Sequence, residues 1–123
     1  MTMRRQSLRL FALALLTAWV MLAHHAEPLY DMKHPITVTG VVSRVEWSNP
    51  HVYLYLNIVG EKGGTEEWSI ELTAPHSLQH YGWTSTTVKR GDRVTCTGGR
   101  AKSGVRALRS AMVELPDGKR LKS

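Results

Sequence analysis

One stretch of the chain gathers an imidazole, two phenols and, through pairing, a carboxylate. Val52, Leu54, Leu56 and Ile58 alternate with His51, Tyr53, Tyr55 and Asn57. That is the period of two of a half-buried strand. Gly60 to Thr65 reads as a hairpin loop. If the loop centres near Lys62, Glu71 lies across from Tyr53 and Thr73 across from His51. Trp47 and Asn49 come just before, at the turn Ser48-Asn49-Pro50, where proline sets its own φ and asparagine tolerates turn geometry. The candidate ligand-binding set is Trp47, Asn49, His51, Tyr53, Tyr55 and Glu71. Imidazole and carboxylate hold polar groups, and the phenols offer hydroxyls and flat faces. A plain solvated strand face explains the same pattern equally well.

A second set is suited to a metal. His24 and His25 follow an apolar run directly. A chain cut after Ala23 would begin at His24, whose amine and ring nitrogen can hold one ion. With His25, His34 or His51 as a further ligand, nitrogen donors suit Cu(II), with Zn(II) the other candidate. Asp31 or Glu71 would complete the shell. Such a site weakens below about pH 6, where imidazoles protonate. A frayed terminus is the competing reading.

Other reactive types read as structural. His76 and His80 are four apart on a short helix; that spacing can hold zinc, but two ligands do not make a structural site, and they read as surface histidines. Cys96 is the single cysteine; it alternates with Val94 and so faces the core, and no internal disulfide is possible. Trp47, Trp68 and Trp83 read as core residues. No Ser-His-Asp or Cys-His grouping emerges, so catalysis is not expected except through a bound metal.

The elements that position these groups follow from periodicity and turn chemistry. Ile36 to Trp47 is β-branched, with Gly40 marking a bulge or bend. The His51 strand follows, then Glu67 to Leu72 with Trp68, Ile70 and Leu72 inward. Pro75 to Trp83 is the one short helix, opened by proline and capped by Gly82. Gly91-Asp92 turns into a fourth strand, Arg93 to Gly98. Lys102 to Gly104 turns into a fifth, Val105 to Leu115. The expected fold is all-β: a small five-stranded OB-like Greek-key barrel with one short helix between strands three and four. An open β-sandwich is the rival.

The domain expectation is a cleaved signal over 1–23, an extended lead-in over 24–35, the barrel over 36–118 and a solvated basic tail over 119–123. Met1 to Arg9 is basic, and Leu10 to Ala23 is an apolar run of about fourteen residues, short of the roughly twenty that span a bilayer. Periplasmic location is therefore expected, with no membrane span after signal removal. The chain carries 16 basic and 10 acidic residues, a net charge of +6. Without Arg4, Arg5 and Arg9 the basic count is 13 and the net charge +3. A nucleic-acid partner is not expected at that charge in an exported chain.

Several motifs carry a resemblance. They are the His24-His25 start, Tyr30-Asp31, Gly40 leading to Trp47-Ser48-Asn49-Pro50-His51, and Trp68 to Glu71. Gly82-Trp83, Gly91 to Val94 and Leu115-Pro116-Asp117-Gly118 follow. In these the chain resembles the DUF6152 family of small exported bacterial proteins. The resemblance implies a periplasmic location and no assigned activity. The functional expectation is an exported ligand-binding module of unassigned role, holding copper through its N-terminal histidines. The alternative is a metal-free adaptor between envelope proteins, using the aromatic face.

Overall fold

The computed structural model describes residues 28–123. Its elements in chain order are β1 (Tyr30–Glu46), β2 (Tyr53–Val59), β3 (Thr65–Glu71), α1 (Pro75–His80), β4 (Arg93–Ala101), β5 (Ala107–Glu114) and β6 (Arg120–Lys122). Among the described residues the fold is all-β and mostly antiparallel, with one short helix between β3 and β4. The strand order is β3-β2-β1-β4-β5-β6, and β3 also pairs with β5. That extra pairing is parallel and joins Ser69, Ile70 and Glu71 to Ala107, Leu108 and Arg109.

Alternation holds where it is clearest. Val52, Leu54 and Leu56 are buried, as are Trp68, Ile70 and Leu72, and they form one core with Leu78, Trp83, Val94, Cys96, Leu108 and Val113. Each such leucine or isoleucine stabilises the fold by about 1.5–3 kcal/mol relative to exposure. Residues of β2 and β3 on the opposite side of the sheet remain half-buried or exposed.

The helix ends as its sequence suggests. Gly82 has φ +91°. Its N–H reaches Gln79 O at 3.1 Å, and the N–H of Trp83 reaches Leu78 O at 3.0 Å. This is the Schellman arrangement, which satisfies carbonyls left open at a helix end. Leu78 is fully buried and anchors the helix to the core.

Four details differ from expectation. The described residues form six strands, not five, because Arg120–Lys122 pairs with β5 instead of forming a solvated tail. Leu121 is buried there, and the indole N–H of Trp83 donates to Lys122 O at 2.7 Å. A basic stretch thus conceals one apolar anchor. Next, β1 begins at Tyr30 and not Ile36, because Tyr30 and Asp31 pair with Ala101 and Arg100 before an irregularity that runs to Ile36. Third, the bulge in β1 falls at Ser43, where the register with β2 shifts between Val42 and Arg44. Gly40 serves a close approach instead: a Cβ there would lie 2.6 Å from Asn57 O. Fourth, β5 starts at Ala107, leaving Val105 exposed. Among the described residues, no helix is long and apolar enough to cross a membrane. The segment expected to be a signal and the histidines His24 and His25 lie outside the described residues.

Candidate functional site

The β2–β3 register puts Tyr53 opposite Glu71 and Tyr55 opposite Ser69. Past the ladder, Val52 receives the N–H of Leu72 at 2.8 Å and donates to Thr73 O at 3.2 Å. His51 and Glu71 therefore meet at one end of the outer face. The sequence expectation of an imidazole, two phenols and a carboxylate on one surface holds.

Glu71 is the centre of this cluster, with its side chain only 12% exposed. Oε1 lies 2.6 Å from His51 Nδ1 and 2.7 Å from Arg109 Nη1. Oε2 accepts the Tyr30 hydroxyl at 2.8 Å. Arg109 Nη1 also donates to Leu72 O at 3.2 Å. Three strands and the turn before β2 thus converge on one carboxylate. The carboxylate–imidazole distance places a proton on His51 Nδ1, and in the neutral ring Nε2 is then the acceptor. Arg109 Nη1 sits 3.5 Å from His51 Nδ1; both are donors that converge on the same oxygen. Backing one ring nitrogen with a carboxylate orients an imidazole for work at the other.

The tyrosines are kept neutral. Burial, together with the bond to Glu71 and its negative charge, pushes the Tyr30 phenol up to about 12. Burial, followed by the Glu71 charge, also raises Tyr53. Tyr55 is raised by burial and then by the charge of Glu46, whose Oε2 accepts its hydroxyl at 3.3 Å. The Tyr53 and Tyr55 rings stack with centroids 6.4 Å apart. The Arg44 guanidinium covers the Tyr55 ring at 3.8 Å. The surface is a shelf of aromatic rings ending at His51.

The remaining predicted residues scatter. Trp47 is partly buried and packs against the core. Asn49 is exposed in the turn, beside a cis peptide bond to Pro50. Asp31 is bound by His34, whose Nδ1 lies 3.1 Å from it. That hydrogen bond holds the Asp31 carboxyl below its usual range. Asp31 and Glu71 are therefore both engaged with protein partners. Among the described residues, no three His, Cys, Asp or Glu side chains gather where they could hold a metal ion.

Arg109 and Tyr30 were not singled out as site residues by spacing. Arg109 arrives through the parallel β3–β5 pairing, 38 residues away. Tyr30 arrives through the early start of β1. The only sequence signal for Arg109 is a charged residue between inward Leu108 and Ser110.

An open groove runs along the first residues of β3, lined by Tyr55, Val59, Trp68, Arg100, Val105 and Arg106. Arg106 and Glu66, both in its lining, pair at 3.0 Å.

Residues 13–109 match the model described as a family of unknown function, DUF6152. No curated protein matches the chain. The solved structures similar to it include a mitochondrial single-stranded DNA binding protein of S. cerevisiae, Rim1. That match has 12% identity and TM-score 0.48, and covers 67% of this chain and 93% of that one. A selenomethionine-labelled Rim1 crystal matches at 16% identity and TM-score 0.44, over 67% and 92% of the two chains. TiaS, in its complex with an isoleucine tRNA and ATP, matches at 13% identity and TM-score 0.48, covering 70% of this chain but 19% of that one.

Proposed function

We propose, for a chain that belongs to the DUF6152 family of unknown function, an exported, non-enzymatic binding module of the periplasm. Its ligand lies on the outer face of β2 and β3. The observation that carries this reading is the Glu71 cluster. One carboxylate fixes His51, Arg109 and Tyr30 at the end of a tyrosine shelf. Preorganised polar groups beside flat apolar surface are what a binding site needs. The favoured occupant is a flat or extended polar group that stacks on Tyr53, next to the Arg44-covered Tyr55 ring, and donates a hydrogen bond to Nε2 of neutral His51. An envelope protein presenting such a group would make the module an adaptor.

The OB-type barrel belongs to this proposal. The order β3-β2-β1-β4-β5 with a parallel β3–β5 pairing supports it, as does the helix between β3 and β4. In that reading β6 is an addition at the margin of a five-stranded Greek-key core. OB folds commonly bind on the face that β2 and β3 share.

The test replaces Tyr53 with a photo-crosslinking residue in the exporting cell, with exposed Lys89 as the control position. A defined adduct is expected from position 53 and not from position 89. No adduct, or the same adduct from both, would remove the reading.

One observation favours a second reading, copper(II) held by His24, His25 and His51. Metal-bound imidazoles usually donate their other ring N–H to a carboxylate, as His51 does to Glu71. Native mass spectrometry with added Cu(II) should then show one ion on a chain that starts at His24. A stoichiometry unchanged by His51→Ala would exclude His51 as a ligand.

A further inference from the structure

We propose that His76 and His80 form a two-imidazole site for a zinc ion, on α1 and separate from the β2–β3 face. The two Nε2 atoms lie 3.3 Å apart. The rings meet edge to face, with centroids 4.8 Å apart and planes at 86°. Tetrahedral zinc with Zn–N bonds of about 2.0–2.1 Å sets two ligating nitrogens about 3.3–3.4 Å apart. The spacing of this pair therefore matches the bite of such an ion before any ion arrives. Both rings are exposed, so an ion can reach them from solvent.

The helix that carries them is held at both ends. Pro75 occupies its first turn, and the Schellman bonds of Gly82 and Trp83 close its last. Leu78, between the two histidines, is fully buried. Trp83 is tied to β6 through Lys122 O. A rigid helix turn keeps residues four apart on one face, so the backbone needs no rearrangement when the ion binds. Two ligands leave zinc with open positions. These would be filled by water or by a carboxylate or imidazole from a bound partner, as in sites that keep an exchangeable position.

The alternative is a simple hydrogen bond between the rings, with one N–H donating to the other nitrogen. Zinc chloride titrated into the whole protein distinguishes them by calorimetry. The set comprises the unaltered protein, His76→Ala, His80→Ala and a variant with His24, His25 and His51 all changed to alanine. One zinc per chain is expected, weakened at least tenfold by either helix substitution and retained in the triple variant. Loss only in the triple variant, or no zinc bound to the unaltered protein, would overturn the proposal. The ring resonances of His76 and His80 in the unaltered protein provide a readout free of any folding defect. Both should shift together, saturating at one equivalent; resonances that stay in place would overturn it equally. Neither result depends on whether the tyrosine shelf binds a ligand.

Discussion

Glu71 bonds to three side chains through two oxygens, and two of those partners carry or can carry positive charge. Removing it leaves the Arg109 guanidinium, 26% exposed, without its ion partner. A half-buried charge left unpaired is costly. Glu71→Ala is expected to lower stability by about 2–3 kcal/mol, read as a shifted urea midpoint. Tyr30→Phe removes one hydrogen bond and should cost about 1 kcal/mol. In the double variant the two losses should fall short of their sum, because Tyr30 acts through Glu71. Strict additivity would show that the bond does not persist in solution.

Cys96 is fully buried, and burial alone pushes its thiol up to about 12. Tyr30 is raised to about 12 as well. Each group favours the folded state while neutral. The sign follows directly: the stabilisation is complete below the ordinary values of 9.0 for the thiol and 10.0 for the phenol. It is lost as pH rises toward 12. The thermal midpoint should therefore fall between about pH 9 and 12. Cys96→Ser with Tyr30→Phe should flatten that fall; an equally steep decline in the double variant would assign it to other groups. The native thiol should resist iodoacetamide at pH 8 and react only after unfolding.

At the scale of elements, the closest approach is between β4 and β5. A Cβ on Gly98 would fall against the Arg109 carbonyl, 2.8 Å from its carbon atom. Because the obstacle is backbone, no side-chain rotation relieves it. Gly98→Ala should destabilise the fold by about 2–3 kcal/mol, measured by chemical denaturation. It should also disturb Arg109, and with it the position of His51. A His51 ring resonance unmoved in Gly98→Ala would separate the strand pairing from the site. The helix was legible because proline and glycine act locally. Glycine within a strand is the common sign of a bulge or sharp bend, which points to Gly40; the register shift lies elsewhere. Ser43 carries the bulge, with its hydroxyl donating to the Tyr55 carbonyl at 3.1 Å.

Across the whole molecule, β6 ties the last residues to both β5 and Trp83. Leu121→Ala should cost about 2–3 kcal/mol, whereas Lys119→Ala, at an exposed position, should be near neutral. Equal effects would mean that β6 does not hold in solution. The sequence alone determined the alternating strands β2 and β3, their register, the capped helix and the inward cysteine. Each follows from a pattern within a few residues, and a short loop leaves little choice of pairing. Tertiary structure decided the rest. Arg109 reaches Glu71 only because β3 and β5 run side by side, and Tyr30 only because β1 starts early on β4. The His76–His80 distance depends on side-chain orientations that spacing alone does not state. Partners brought together by long-range pairing leave no periodic mark in the chain, because loop closure places them and not local propensity.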